Sequence, residues 1–173
     1  DTRGDRQPEF TQLDIEMSFV EADEVMDLGE GMFTSIIEKL YPQKHFTAKP
    51  WPRLNYVDAM KKYGNDKPDI RRDTGDADEL GFAWIVNFPL FEGKEKGHWA
   101  PSHHMFTKPL DEDMSKLESD PASVRSTQYD LALNGFEVGG GSIRIHDPKL
   151  QEKIFDLIGF DAERKPTKAR PPW

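Results

Sequence analysis

Residues 129–146 read YDLALNGFEVGGGSIRIH. Asn134-Gly135 stands between two apolar stretches, the strongest short-range signal for a β-hairpin. Two antiparallel strands follow, with Leu133 opposite Phe136 and Ala132 opposite Glu137. Asp130 then falls diagonal to Glu137 on one face. Gly139, Gly140 and Gly141 interrupt the second strand, where glycine marks a bulge or backbone pressed against a ligand. Arg144 favours the bulge: it lies seven residues after Glu137, so only one inserted residue brings the two to the same face. The glycines are not a phosphate-binding P-loop, because no Gly-Lys-Ser/Thr follows.

Working outward, Asp147-Pro148 supplies an N-cap and a first-turn proline, Leu150, Ile154, Leu157 and Ile158 make an apolar stripe, and Gly159 sits at the helix stop. On the other side, residues 81–91 (GFAWIVNFPLF) form a nearly continuous apolar run with the character of a buried strand. Residues 10–19 (FTQLDIEMSF) alternate strictly, with Leu13, Ile15, Met17 and Phe19 on one face, and predict another strand. Val25, Phe33, Ile36, Ile37 and Leu40 recur at helical spacing; Gly29 and Gly31 place the firm helix at 30–41, with a looser start. YVDAMKKY (56–63) is a short helical pattern, and GNDKPDIRRDTGDAD (64–78) a polar loop. The tail DAERKPTKARPPW has no periodicity and is expected to be disordered or extended. These elements predict an α/β (α+β) chain, an antiparallel sheet flanked by helices, with residues 1–160 as one domain and 161–173 as a divergent tail.

The 173 residues carry no cysteine, which excludes disulfides and thiolate metal sites. No apolar run approaches the roughly 20 residues that cross a bilayer. A formal charge of −9 argues against a general nucleic-acid surface, so any RNA contact is local. The expected location is the cytoplasm, or an organellar matrix in a eukaryote. The chain opens at Asp1 on a loop-like stretch and reads as the middle of something longer.

Asp130 and Glu137, about 7–8 Å apart at the backbone as diagonal neighbours, suit a shared Mg²⁺ beside a phosphate substrate, though spacing alone fits a solvated surface acid as readily. Gln12, Asp14 and Glu16 form a row of acceptors that an ammonium group would satisfy; a solvent-facing sheet surface explains them equally well. His103 and His104 are adjacent and face opposite ways in extended chain, so at most one faces a pocket. With no HxxxH spacing, a zinc site is not expected.

The residues also resemble a known family. DRQPEFTQLDIEMSF is similar to the second half of motif 2 of class II aminoacyl-tRNA synthetases, in the form found in bacterial and organellar aspartyl-tRNA synthetases. WPRLNYVDAMKKYGNDKPDIR, FAWIVNFPLFE, HHMFT and YDLALNGFEVGGGSIRIH follow in the family's order, over about residues 1–160. The resemblance implies an aspartate-tRNA ligase using ATP and Mg²⁺, in which Gln7 and Phe10 hold the adenine and Arg3 approaches the tRNA acceptor end. It places Gln12 and Asp14 near the substrate ammonium, His103 and Arg144 on L-aspartate, and Asp130 and Glu137 on Mg-ATP, with Glu137 serving both. It also implies a homodimer in the complete enzyme.

Several family features are missing from this stretch: motif 1, the start of motif 2, motif 3, the anticodon-binding domain and the domain that bacterial relatives insert after the KPD segment. Met105 replaces the proline usual after the paired histidines. An incomplete catalytic domain is therefore expected. Alternatives are a synthetase-like interaction module without catalysis, or an aspartate-activating amide synthetase that does not use tRNA; the DTRGDRQPEF loop favours the tRNA enzyme over the latter. The 173 residues alone are expected to show little or no aminoacylation, and aspartate-dependent ATP-pyrophosphate exchange measures this directly. A rate near that of a full enzyme would contradict it.

Overall fold

A computed structural model describes residues 8–160. In chain order the elements are α1 (Ala22–Leu40), β1 (His45–Phe46), β2 (Arg53–Asn55), α2 (Tyr56–Tyr63), β3 (Glu79–Leu80), β4 (Phe82–Val86), β5 (Phe91–Glu95), β6 (His98–Pro101), β7 (Gln128–Leu133), β8 (Phe136–Ser142) and α3 (Pro148–Leu157). Short 3-10 helices lie at Asp111–Lys116 and Pro121–Ser123. The main sheet has the order β2-β4-β7-β8; β4 and β7 run antiparallel, while β2 joins β4 in parallel, so the expected antiparallel sheet is mixed at one edge. The described residues form two compact units, 8–86 with 129–140 and 87–128 with 141–160.

In the first unit, α1 runs unbroken through both glycines, a longer and firmer helix than its sequence predicts. Two features account for this. Glu21 and Glu24 close a capping box at its start. Further along, Gly29 packs over the Trp84 ring, where a Cβ would make an ordinary contact at 3.5 Å, so tertiary packing holds the helix at this point. Met26 is buried against Trp51, Phe82, Trp84, Tyr129 and Leu131, with Val25, Phe33 and Ile37 packed at the margin. Trp51 stacks on Phe82 at 4.0 Å and 5°, the closest ring pair of this cluster. The Arg53 guanidinium ties β2 to α1 through Asp23 (2.8 Å) and Asp27 (2.6 Å).

The loop of residues 64–78 is built from side-chain turns: Asn65, Asp69, Asp73 and Asp76 each accept the backbone N–H two residues on. Glu79, 4% exposed, closes it by accepting from the Arg72 and Asp73 N–H groups and the Thr47 hydroxyl. Those bonds hold its carboxyl below the usual range.

Two strand expectations are corrected. Residues 10–19 form no strand, and Phe10, Leu13, Ile15, Met17 and Phe19 are all exposed. Alternation sorts side chains to two faces, but a strand exists only where backbone groups find a partner, and no described strand pairs with this segment. At its end Phe19 turns to φ 61°. The run 81–91 is not one strand either: Asn87 takes φ 59° and ends β4, and the chain restarts as β5 in the second unit.

The second unit packs Leu90, Phe91, Leu117, Val124, Leu150 and Ile154 together. Helix α3 starts and stops where the sequence predicts: the Asp147 carboxylate accepts from the Lys149 N–H at 2.9 Å, and Gly159 takes φ 73°. The His98 ring lies against Gly159 so closely that a Cβ there would meet it at 2.4 Å. Asp113, 1% exposed, accepts from the Arg125 Nε (2.7 Å) and backbone N–H (3.1 Å) and from Lys116 Nζ (2.6 Å). The Arg125 guanidinium holds its carboxyl well below the usual carboxylate range. Such stabilisation is complete above the unfolded value of about 4 and fades as pH falls toward the folded value. Asp113→Asn is expected to lose about 1–3 kcal/mol in urea denaturation at pH 7, with the gap to wild type narrowing at pH 3.

Candidate functional site

The hairpin is present as its sequence predicts. Asn134 (φ 51°) and Gly135 (φ 88°) both take positive φ, the signature of a type I′ turn. Asn134 also works outside the turn: its Oδ1 accepts from the Gly81 N–H at 2.7 Å and its Nδ2 donates to the Glu79 carbonyl at 3.0 Å.

Asp130 is buried opposite Ile85 in β4, whereas Glu137 is exposed and pairs with Lys67 Nζ at 3.2 Å. A Cβ on Gly140 would meet the Asp130 Oδ1 at 2.5 Å and the Tyr129 carbonyl at 3.2 Å, and one on Gly139 would touch the Leu131 Cβ at 4.0 Å. Tyr129 is the partner that a two-residue turn sets for Gly140, whereas Asp130 and Leu131 lie one residue toward the turn from the partners it sets for Gly140 and Gly139. At Gly140 the β8 backbone presses on a carboxylate of the protein itself rather than on a ligand. The same-face argument for Arg144 does not apply, however, because β8 ends at Ser142.

Arg144 belongs to the second unit, where it bridges Thr107. The Ile145 N–H donates to the Phe106 carbonyl (2.7 Å) and the Lys108 N–H to the Ile143 carbonyl (2.8 Å), so the backbone on both sides of Arg144 is fixed. Its guanidinium carbon lies 4.6 Å from the centre of the Phe106 ring. The neighbouring histidines diverge: His103 meets Phe88 edge-on at 4.9 Å, and His104 stacks on Phe106 at 4.9 Å and 4°. Both border a cavity of only about 10 Å³, so more than one of them reaches that pocket, contrary to expectation. It is room for a single water and not for an amino acid.

Of the other candidates, Phe10, Gln12 and Asp14 sit on the exposed segment that forms no strand, so the row of acceptors is not fixed by a sheet. Arg3 and Gln7 lie outside the described residues. Sequence reading missed Lys67 and His104. Lys67 had no signal beyond its place in the KPD segment, and the two rings of His104 and Phe106 meet at a turn that the Thr107 N–H closes on the His104 carbonyl at 2.9 Å, which residue spacing does not announce.

Asp130 and Glu137 offer hard oxygen donors from adjoining strands, which suits a cation that takes one or two carboxylates and completes its shell with water and phosphate. Among the described residues no group of three or more acids, histidines or cysteines gathers for a metal held by protein alone.

The mixed sheet with helix α1 laid on it is shared with known proteins. The family model for class II tRNA synthetases (D, K and N) matches residues 1–170, and the chain belongs to that family. Within it, an aspartate-tRNA(Asp/Asn) ligase of Rubrobacter xylanophilus is 31% identical over 94% of this chain and 48% of its own length. An aspartate-tRNA ligase of Clostridium perfringens is 30% identical over 94% and 48%. The chain thus spans about half the length of the curated relatives it matches. The Rubrobacter alignment runs over 287 positions against the 173 residues present, so more than a hundred positions of the relative have no counterpart here. The solved aspartyl-tRNA synthetase of Entamoeba histolytica shares the fold, with a TM-score of 0.52 and 24% identity over 84% of this chain and 32% of that one.

The approach of β8 to Asp130 makes a paired prediction. Gly140→Ala is expected to cost about 1–3 kcal/mol in chemical denaturation, because the carboxylate or the strand must move. Gly139→Ala has room and should stay within about 0.5 kcal/mol of wild type.

Proposed function

We propose that this chain is the amino-acid-activating part of an aspartate-tRNA ligase. The observation that carries the reading is the match to two aspartate-tRNA ligases at 30–31% identity over 94% of the chain. In the first step a carboxylate oxygen of L-aspartate attacks the α-phosphorus of ATP, forming the aspartyl-adenylate as the bond to pyrophosphate breaks. In the second, a terminal ribose hydroxyl of tRNA attacks the aspartyl carbonyl, and AMP leaves. No side chain need act as a nucleophile, so rate comes from positioning and charge neutralisation.

In this reading the second unit supplies amino-acid recognition. Arg144, its backbone fixed on both sides, offers two parallel N–H groups to the substrate side-chain carboxylate, and His103 completes that contact. The first unit serves the nucleotide: Phe10 and Gln7 hold the adenine, and Asp130 and Glu137 hold Mg²⁺. When bound, that ion offsets charge on the phosphate oxygens. Lys67 occupies Glu137 through an ion pair and gives way to it. Gln12 and Asp14 receive the ammonium group, and Arg3 meets the acceptor end of the tRNA. The assembly is a homodimer acting in the cytoplasm or an organellar matrix; no described helix is long and apolar enough to cross a membrane.

Isothermal titration of the chain with L-aspartate, in the presence of a non-hydrolysable ATP analogue, tests this. Arg144→Ala is expected to weaken aspartate binding about 10- to 100-fold, the worth of a charge-assisted pair, with a much smaller effect on asparagine. Arg144→Lys should recover little, since the ammonium lacks the planar fork. Equal aspartate affinity in wild type and Arg144→Ala would refute the assignment.

A further inference from the structure

We propose that helix α1 is a self-association surface, on which α1 of a second copy of this chain lies antiparallel and crosses at Gly31. The inference rests on the exposed side of that helix and not on the reading of the chain as a ligase. Toward the sheet, α1 buries Met26, with Val25, Phe33 and Ile37 at the margin of the aromatic cluster. Leu28, Met32 and Ile36 recur every four residues outside that cluster, and Leu28 and Ile36 are 45% and 41% exposed. A helix with one buried face turns charged and polar residues to water on the other, so an apolar ridge there marks a contact surface.

The order of residues along the solvent side selects the partner. Glu24, Leu28, Gly31, Ser35 and Lys39 follow one another there at three- and four-residue spacing, and all are exposed. The acid stands near the start, the base near the end, and uncharged residues lie between. An antiparallel copy centred on Gly31 and Met32 sets Glu24 beside Lys39 of the second copy, at both ends of the contact by symmetry. A parallel copy would set like charges together, Glu24 by Glu24 and Lys39 by Lys39. The capping box holds the Glu24 carboxylate in place, with Oε2 on the Glu21 N–H at 2.8 Å, and leaves Oε1 for a second partner. At the centre, a Cβ on Gly31 would meet nothing within 4 Å, so open space lies over the backbone and Met32 of the second copy fits against it. From Glu24 to Lys39 the contact runs about 23 Å, short of a standard interface, which sets the expected Kd on the order of 100 μM.

Sedimentation equilibrium of the 173-residue chain, from about 10 to about 500 μM, tests this, and the average mass is expected to climb from monomer toward dimer. Gly31→Gln fills the crossing point, where the monomer has room and a helix prefers glutamine to glycine. Its Tm should hold or rise while the dimer weakens more than about tenfold. Lys39→Glu is expected to weaken the dimer about three- to tenfold; added salt should weaken the wild-type dimer and strengthen that of Lys39→Glu. Because the chain has no cysteine, single replacements read the geometry under a mild oxidant. Gly31→Cys, at the two-fold axis, should form a disulfide-linked dimer faster than Lys39→Cys, whose copies lie at opposite ends of the contact. A wild-type chain that stays monomeric throughout overturns the inference and leaves the ligase reading standing. A dimer that Gly31→Gln leaves intact, or that is lost instead in Leu13→Glu on the exposed segment 10–19, places the contact elsewhere and overturns it too. Equal cross-linking at positions 31 and 39 overturns the antiparallel arrangement, and a Gly31→Gln chain of lowered Tm overturns the open space on which the crossing depends.

Discussion

The side-chain amide of Asn134 bonds in two directions at once, from the Gly81 N–H and to the Glu79 carbonyl, while its own backbone makes the hairpin turn. Each bond is worth only about 1 kcal/mol net, but together they pin the tip of the hairpin to the entrance of β4. Pairing then runs from Phe82 with Leu133 to Val86 with Tyr129. A slip of one residue would turn Trp84, Tyr129 and Leu131 away from α1 and bring Asp130 onto the helix-covered face. Gly81 belongs to the same constraint, since a Cβ there would stand 3.0 Å from the Arg71 N–H. The aromatic core and the placement of Asp130 both follow from this register.

The acidic balance of the chain looks different once its carboxylates are located. Glu79 closes a loop, Asp69 pairs with Arg71, Asp113 pairs with Arg125 and Lys116, and Asp23 and Asp27 share Arg53. Each is spent on structure, and the first three have carboxyls held below their usual range by those partners. The charge of −9 is therefore no guide to what the site binds. What matters there is a few placed groups: the buried Asp130, Glu137 with its lysine, and Arg144 on its ring.

The elements that could be read from sequence are those whose cause is local. The Asn134-Gly135 turn, α2 and α3 with its Asp147 cap and Gly159 stop form where their residues predict, because caps, turns and helical stripes act over a few positions. The strand at 10–19 failed for the opposite reason: its alternation is real, but the partner backbone that makes a strand is a distant matter. The break at Asn87 lay inside a run that is apolar except for that residue, where its φ of 59° ends β4 and the stretch 87–90, with Pro89, leads into β5. Gly29 was read as a weakness because the packing that holds the helix there comes from Trp84, 55 positions away in sequence.

By itself the sequence determined the family, since the ordered motifs from DRQPEF to GSIRIH carry that information whatever their geometry, and it named Arg144, His103, Asp130 and Glu137 as the candidates. Tertiary structure decided how these residues are held. Burial separates Asp130 from exposed Glu137, an ion pair sets Lys67 on Glu137, and a stack sets His104 and Phe106 beside Arg144. Side-chain identity fixes what a group is able to bind. Its surroundings, which come from residues far along the chain, fix whether it is desolvated, paired and aimed.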